Sequence, residues 1–305
     1  MQRTVKDYFI ILLKGMAMGA ADVVPGVSGG TIAFISGIYQ ELVESISNIN
    51  LALFKTIKTD GFKAFWQKAN ANFLTALAFG IIISALSVMK VMHFLLENHP
   101  IKIWAFFFGL VLASILFVAK QITKWNAITI ILLIVSAIGA FGITKLSTMQ
   151  GIDSTAFLVL AGAIASCAMI LPGISGAFIL VLLGAYATIS ESVHNHDLKK
   201  VGAVALGAII GLLSFSRLLK WLFNNYKNAT LAILTGFILG SLNKIWPWKK
   251  VLESVVIGDK THILKDDSVL PGNYAGDPQI LYAIGLSILG FISILALEKL
   301  GERNK

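Results

Sequence analysis

Apolar stretches long enough to cross a bilayer recur along the whole of this 305-residue chain, at roughly 71–95, 101–119, 126–144, 200–223, 229–246 and 279–297. A hydrocarbon core of about 30 Å takes about 20 apolar residues of helix to cross, and every backbone polar group within it must be satisfied internally. The fold class that follows is all-α: a polytopic membrane protein. Composition agrees, with 56% of residues hydrophobic, 13% charged and a mean hydropathy of +0.80. No stretch is left over for a soluble domain, so residues 1–305 read as a single membrane domain.

The net charge of +9 is scattered between the apolar runs instead of gathered in one patch, which speaks for membrane topology and against nucleic acid as a partner. The lone Cys167 excludes an intrachain disulfide and a cysteine-based metal cluster. His93, His99, His194, His196 and His262 fall near interfaces or loops, His194 and His196 do not share a helical face, and HExxH is missing, so neither metal nor cofactor is expected. The opening segment mimics a secretory signal peptide, but Lys14 interrupts its apolar core and the stretch just after it recurs later in the chain. It is read as part of the mature fold.

That recurrence organises the molecule. PGVSGGTIAFISGIY at 25–39 aligns without a gap with PGISGAFILVLLGAY at 172–186, an offset of 147, with seven of fifteen residues identical. A second block, 76–114, aligns with 203–241 at an offset of 127, with 13 of 39 identical, including Gly80 with Gly207, Asn98 with Asn225 and Gly109 with Gly236. The chain thus reads as two repeats, 1–146 and 147–305, each a broken hairpin (8–44 and 153–190) followed by three spans. From Tyr8 to Ala21 a helix rises only about 21 Å, too short to span upright. The hairpins are therefore expected to be re-entrant, leaving three net crossings per repeat and inverting the second repeat relative to the first. With both termini cytoplasmic, the inner segments hold 14 basic and six acidic residues, the outer ones ten and nine, as the positive-inside rule asks.

Pro25 and Pro172 each break a helix and favour the start of another, and Gly26, Gly29, Gly30, Gly173 and Gly176 permit tight turns there. Amides at the start of the second helix, with the hydroxyls of Ser28 and Ser175, form a candidate anion site; the plain alternative is a well-packed turn. Asp22, whose counterpart is Met169, breaks the repeat. It is a candidate for taking up a proton or sodium ion, or else it pairs with Lys14 or caps the following helix. Lys90 and Arg217 occupy matching positions and either anchor their helices to headgroups or place a cation at each mouth of a pathway. The Gly15–Gly19 pair reads as close helix packing.

The paired motifs DVVPGVSGGT and LPGISGAF, with their trailing GIY and GAY, resemble those of the bacterial PopT family of undecaprenyl-phosphate translocases over essentially the full length. The resemblance implies a multi-pass inner-membrane carrier, not an enzyme, that returns undecaprenyl phosphate from the outer to the cytoplasmic leaflet, with membrane lipids around it. It places Pro25, Gly26, Ser28, Gly29, Gly30, Pro172, Gly173, Ser175 and Gly176 toward substrate, with Ala177 standing where the first copy has Gly30. Alternatives from the residues are a carrier of a small soluble anion and an intramembrane lipid-phosphate enzyme; for the latter no Cys or His nucleophile lies near the tips.

Overall fold

The structure is a computed structural model that describes residues 3–23, 28–146, 154–257 and 260–302. Its helices are α1 (Val5–Val23), α2 (Gly29–Ile35), α3 (Tyr39–Ser47), α4 (Leu51–Thr59), α5 (Gly61–Lys68), α6 (Ala71–Asn98), α7 (Pro100–Ala119), α8 (Ala127–Lys145), α9 (Thr155–Ile170), α10 (Gly176–Leu182), α11 (Tyr186–His194), α12 (Leu198–Ser241) and α13 (Ile280–Glu302). Between α12 and α13 lie the strands β1 (Lys249–Ile257) and β2 (Lys260–Ser268). Four helices, α6, α7, α8 and α12, are long and apolar enough to cross a membrane, and Ile280–Ala296 of α13 is a shorter apolar stretch.

Each hairpin is a long helix followed by a return arm in two short pieces. The bend in the arm has one cause in both copies. Gly37 and Gly184 take left-handed φ of 73° and 69°. Around them Gly37 N–H donates to Phe34 O and Ile38 N–H to Ala33 O, while Gly184 N–H donates to Val181 O and Ala185 N–H to Leu180 O. These are paired Schellman closures, in which only glycine fits without strain. They account for the GIY and GAY that follow the tip motifs.

The two offsets seen in the sequence recur in the packing. Gly80 backs onto the Leu12 carbonyl and Gly207 onto that of Val159; Gly15 backs onto Leu77 and Gly162 onto Val204. Gly19 lies against Ser84, whereas the equivalent contact of Gly211 with Ser166 has glycine and serine exchanged. At His99, between α6 and α7, φ and ψ are −137° and 47°; at Tyr226, inside α12, they are −136° and 46°. The continuous α12 is thus two helices broken where the first copy breaks, and Asn98 and Asn225 each donate to the carbonyl four residues back, at 2.9 and 2.8 Å. The remaining helices cross-pair: α7 packs on α13 through Gly109 and Gly290, and α8 packs on the end of α12 through Gly236 and Gly240. Small residues let these backbones meet without help from a hydrophobic driving force, which lipid does not supply.

Polar contacts gather at two ends. At one, Arg3 pairs with Glu41, Asn70 donates to Glu41, Thr123 N–H donates to Asn228, and Arg217 and Lys220 reach Ile49 and Asn48. The chain therefore returns along α2 and α3 to the end from which α1 set out. At the other, Trp246 and Trp248 pack with Ile101, Ala105 and Ala283, and Lys145 pairs with Asp267 of β2.

One expectation changes, and two segments between the spans gain structure. α1 has 19 residues, a rise of about 28 Å, and not the short arm read from 8–21. The 243–278 segment, where no span was expected beyond residue 246, carries the antiparallel pair β1–β2, with a bulge near Glu253. The connector after the first hairpin holds α4 and α5, whose Leu51, Phe54 and Phe62 are exposed among four lysines. Such a pair suits the headgroup layer.

Candidate functional site

The hairpin tips touch. Ser28, the N-cap of α2, is buried, and its Oγ accepts from Gly30 N–H at 3.1 Å. The same hydroxyl donates toward the second tip, with Leu171 O at 3.3 Å and Met169 O at 3.4 Å. From the other side, Gly173 N–H donates to Thr31 Oγ1 at 2.9 Å, fully buried. Backbone approach explains the glycines. A Cβ at Gly30 would meet the Ile170 carbonyl at 2.7 Å, one at Gly176 the Ala165 carbonyl at 2.7 Å, and Gly173 holds φ of 88°. Ala177, at the position of Gly30 in the second copy, is exposed, so its methyl is tolerated.

The two tips are chemically unequal. Asp22 Oδ1 accepts from Gly29 N–H at 2.7 Å, so the carboxylate caps α2, one of the roles expected for it. Lys14, its other expected partner, donates to Ser36 O at 2.6 Å instead. With Asp22 and the Ser28 hydroxyl in place, the first amides of α2 are already occupied by the protein's own oxygens. The second tip lacks this arrangement. Ser175 makes no side-chain cap bond, and it lines a cavity of about 10 Å³ together with Gly173, Phe178, Ser241 and Lys244. That is room for about one water molecule.

Lys244 is a residue that sequence reasoning passed over. Its Nζ lies 4.9 Å from the Phe178 ring centroid and donates to Asp266 at 3.1 Å. Asp266 also accepts from Lys249 at 3.2 Å, so one carboxylate of β2 serves two ammonium groups beside the second tip. Burial pushes the Lys249 ammonium down to about 8, against the attraction of Asp266. Thr31 was also missed, since nothing in SGGT marks it. For Lys244 and Asp266 there was a signal: two strand-like runs flank Gly258–Asp259, a hairpin-turn pair.

Of the residues singled out from sequence, the structure gathers Ser28, Gly29, Gly30, Gly173 and Asp22 at this junction, with Pro172, Ser175 and Gly176 buried beside it. Pro25, Gly26 and the side chain of Lys90 lie outside the described residues. Arg217 stands elsewhere, at the end of α3. Among the described residues no group of three or more His, Cys, Asp or Glu side chains is placed to hold a metal.

Fold and junction together define a polytopic helical membrane protein built around two touching, broken hairpins. The chain belongs to the VCA0040-like family, described as undecaprenyl phosphate translocase-like, whose profile matches residues 18–262. It is 44% identical over 303 residues to a polyprenyl-phosphate transporter of Vibrio cholerae, covering 97% of this chain and 98% of that one. It is 32% identical over 257 residues to a polyprenyl-phosphate transporter of Staphylococcus aureus, covering 78% and 86%. These relatives are named as transporters, not enzymes. No solved structure matches the chain.

Proposed function

We propose that this protein carries undecaprenyl phosphate from the outer to the cytoplasmic leaflet of the bacterial inner membrane by alternating access. The two inverted repeats, 1–146 and 147–305, would rock about the tip junction, with both termini cytoplasmic. The family and its named relatives supply the substrate class. The observation that carries the reading is the direct bond from one tip to the other, Gly173 N–H on Thr31 Oγ1. Broken backbone inside a membrane bundle is tolerated where it is shielded or lines a pathway, and here two such breaks share one place. The gathering of contacts at two ends supports three net crossings per repeat, because the starts of α1 and α6 fall at one end and the starts of α7 and α13 at the other.

In this conformation the tip of α2 is closed by Asp22 and the second tip is the open one, with Ser175 and Lys244 at hand. Once the repeats rock apart and widen this one-water cavity, the lipid's phosphate enters beside Lys244 and Ser175, and its polyprenyl tail stays between helices in lipid. Transfer to the first tip requires Asp22 to release Gly29 N–H, and a proton or sodium ion on the carboxylate would do this by weakening it as an acceptor. That is how Asp22 would couple transport to an ion gradient.

The test is leaflet transfer of labelled undecaprenyl phosphate in proteoliposomes, with and without a proton or sodium gradient. Faster transfer is expected with the wild-type protein and not with Asp22→Asn. Uptake of inorganic phosphate into the same vesicles without lipid transfer would favour the soluble-anion reading, and released phosphate the enzymatic one.

A further inference from the structure

A second polar site lies away from the tips, where the end of α3 meets the middle of α12. On α12, Arg217, Lys220, Trp221 and Asn224 recur at helical spacing along one face. Facing them are Ser47, the last residue of α3, and Asn48 and Asn50 of the turn to α4. Between the two surfaces is a pocket of about 340 Å³.

Among the described residues, no carboxylate pairs with its two cations. Arg217 Nη2 donates to Ile49 O at 3.0 Å and Lys220 Nζ to Asn48 Oδ1 at 2.9 Å, both neutral oxygens. Elsewhere Arg3, Lys68, Lys145, Lys244 and Lys249 all meet a carboxylate. Among the described residues, no acidic one lines this pocket. A guanidinium has five N–H donors and an ammonium three, so most of their donors remain open to an incoming ligand, and the surrounding carboxamides can adapt to its oxygens. Two adjacent cations match a dianion better than a singly charged phosphodiester. The pocket also sits at the foot of α4, whose N-cap is Asn50 and whose exposed Leu51 and Phe54 suit the headgroup layer. A ligand bound here has its charge at the membrane surface and its apolar part beside lipid.

We infer that this pocket is a docking station for the phosphate monoester headgroup of a membrane lipid, held by Arg217 and Lys220. It rests on the transport reading only for its place in a sequence of events: a second holding point, at the cytoplasmic surface, for the headgroup that the tips handle inside the bundle.

Binding to purified protein in nanodiscs tests it, with farnesyl phosphate as the short lipid phosphate, inorganic phosphate as the free anion and phosphatidylglycerol as the phosphodiester. Farnesyl phosphate is expected to bind with an affinity that falls about tenfold or more in Arg217→Gln/Lys220→Gln, since charge-assisted hydrogen bonds are lost. Asn224→Asp, which keeps the side chain's shape and gives the cations an internal partner, is expected to weaken binding in the same direction without loss of fold. Arg217→Lys keeps the charge but not the fork, and should fall between. Equal binding of inorganic phosphate or phosphatidylglycerol would overturn the assignment to a lipid monoester. Unchanged affinity for farnesyl phosphate in both the double variant and Asn224→Asp would overturn the site. Because binding is read directly, a wild-type protein that binds farnesyl phosphate here yet moves no lipid would refute the transport reading and leave the station standing.

Discussion

Thr31 and Ser175 separate what holds the tips together from what they are for. Thr31→Val removes the acceptor of a buried amide, and an unpaired buried donor costs about 1–3 kcal/mol, so a lower melting temperature is expected in detergent. The Ser175 side chain makes no cap bond, so Ser175→Ala should leave the melting temperature where it is and slow lipid transfer about tenfold. A large loss of stability in Ser175→Ala would count against the role proposed for it toward substrate. Lys249 offers a third test at this scale. Its folded value of about 8 lies below the ordinary 10.5, so between these pH values the unfolded chain holds a proton that the folded one has released. Stability from this group therefore rises with pH across that window, and below it the burial penalty is fully present. In thermal scans the wild-type protein should gain on Lys249→Gln as the pH rises from 8 to 10.5. Parallel curves would place the ammonium in a wetter site than the one described.

At the scale of elements, the bend in each return arm depends on one glycine in the left-handed region, Gly37 or Gly184. A Cβ at Gly37 meets nothing within 4 Å, so the cost of Gly37→Ala is the left-handed backbone alone, about 1–2 kcal/mol, with Gly37→Asn milder. Chemical denaturation in micelles would measure both. Much of this level was legible in the sequence, because breaks in apolar periodicity are made by Pro and Gly and these are easy to see. The pause between the spans ending near 223 and beginning near 229 falls on Tyr226, although hydrogen bonding runs on through it. What escaped notice lay outside the hydrocarbon. α4 and α5 are short, amphipathic and basic, and β1–β2 carries only short apolar runs, such as 255–257 and 263–264, inside a polar stretch, far below the length that marks a span. The tip contacts escaped for another reason. Sequence marked Ser28 and Gly173, but which carbonyl or hydroxyl each would meet across the junction depends on how two distant segments cross.

For the whole molecule, the offsets of 147 and 127 residues reappear contact by contact, down to an exchange of glycine and serine between Gly19–Ser84 and Ser166–Gly211. If the repeats are inverted as proposed, single cysteines at Lys58 and Leu270, placed in a Cys167→Ala background, will react with a membrane-impermeant maleimide from opposite faces. Labelling of both from one face would end the proposed topology. The likeness of the halves gives added meaning to the place where it fails. Asp22 faces α2, and its counterpart Met169 has no charge to offer α10. A shuttle whose two stations were identical would have no preferred heading of its own. An aspartate on one side and a methionine on the other make them different, and under the proposed coupling the sense of travel would answer to whatever cation the surrounding water presents to that carboxylate.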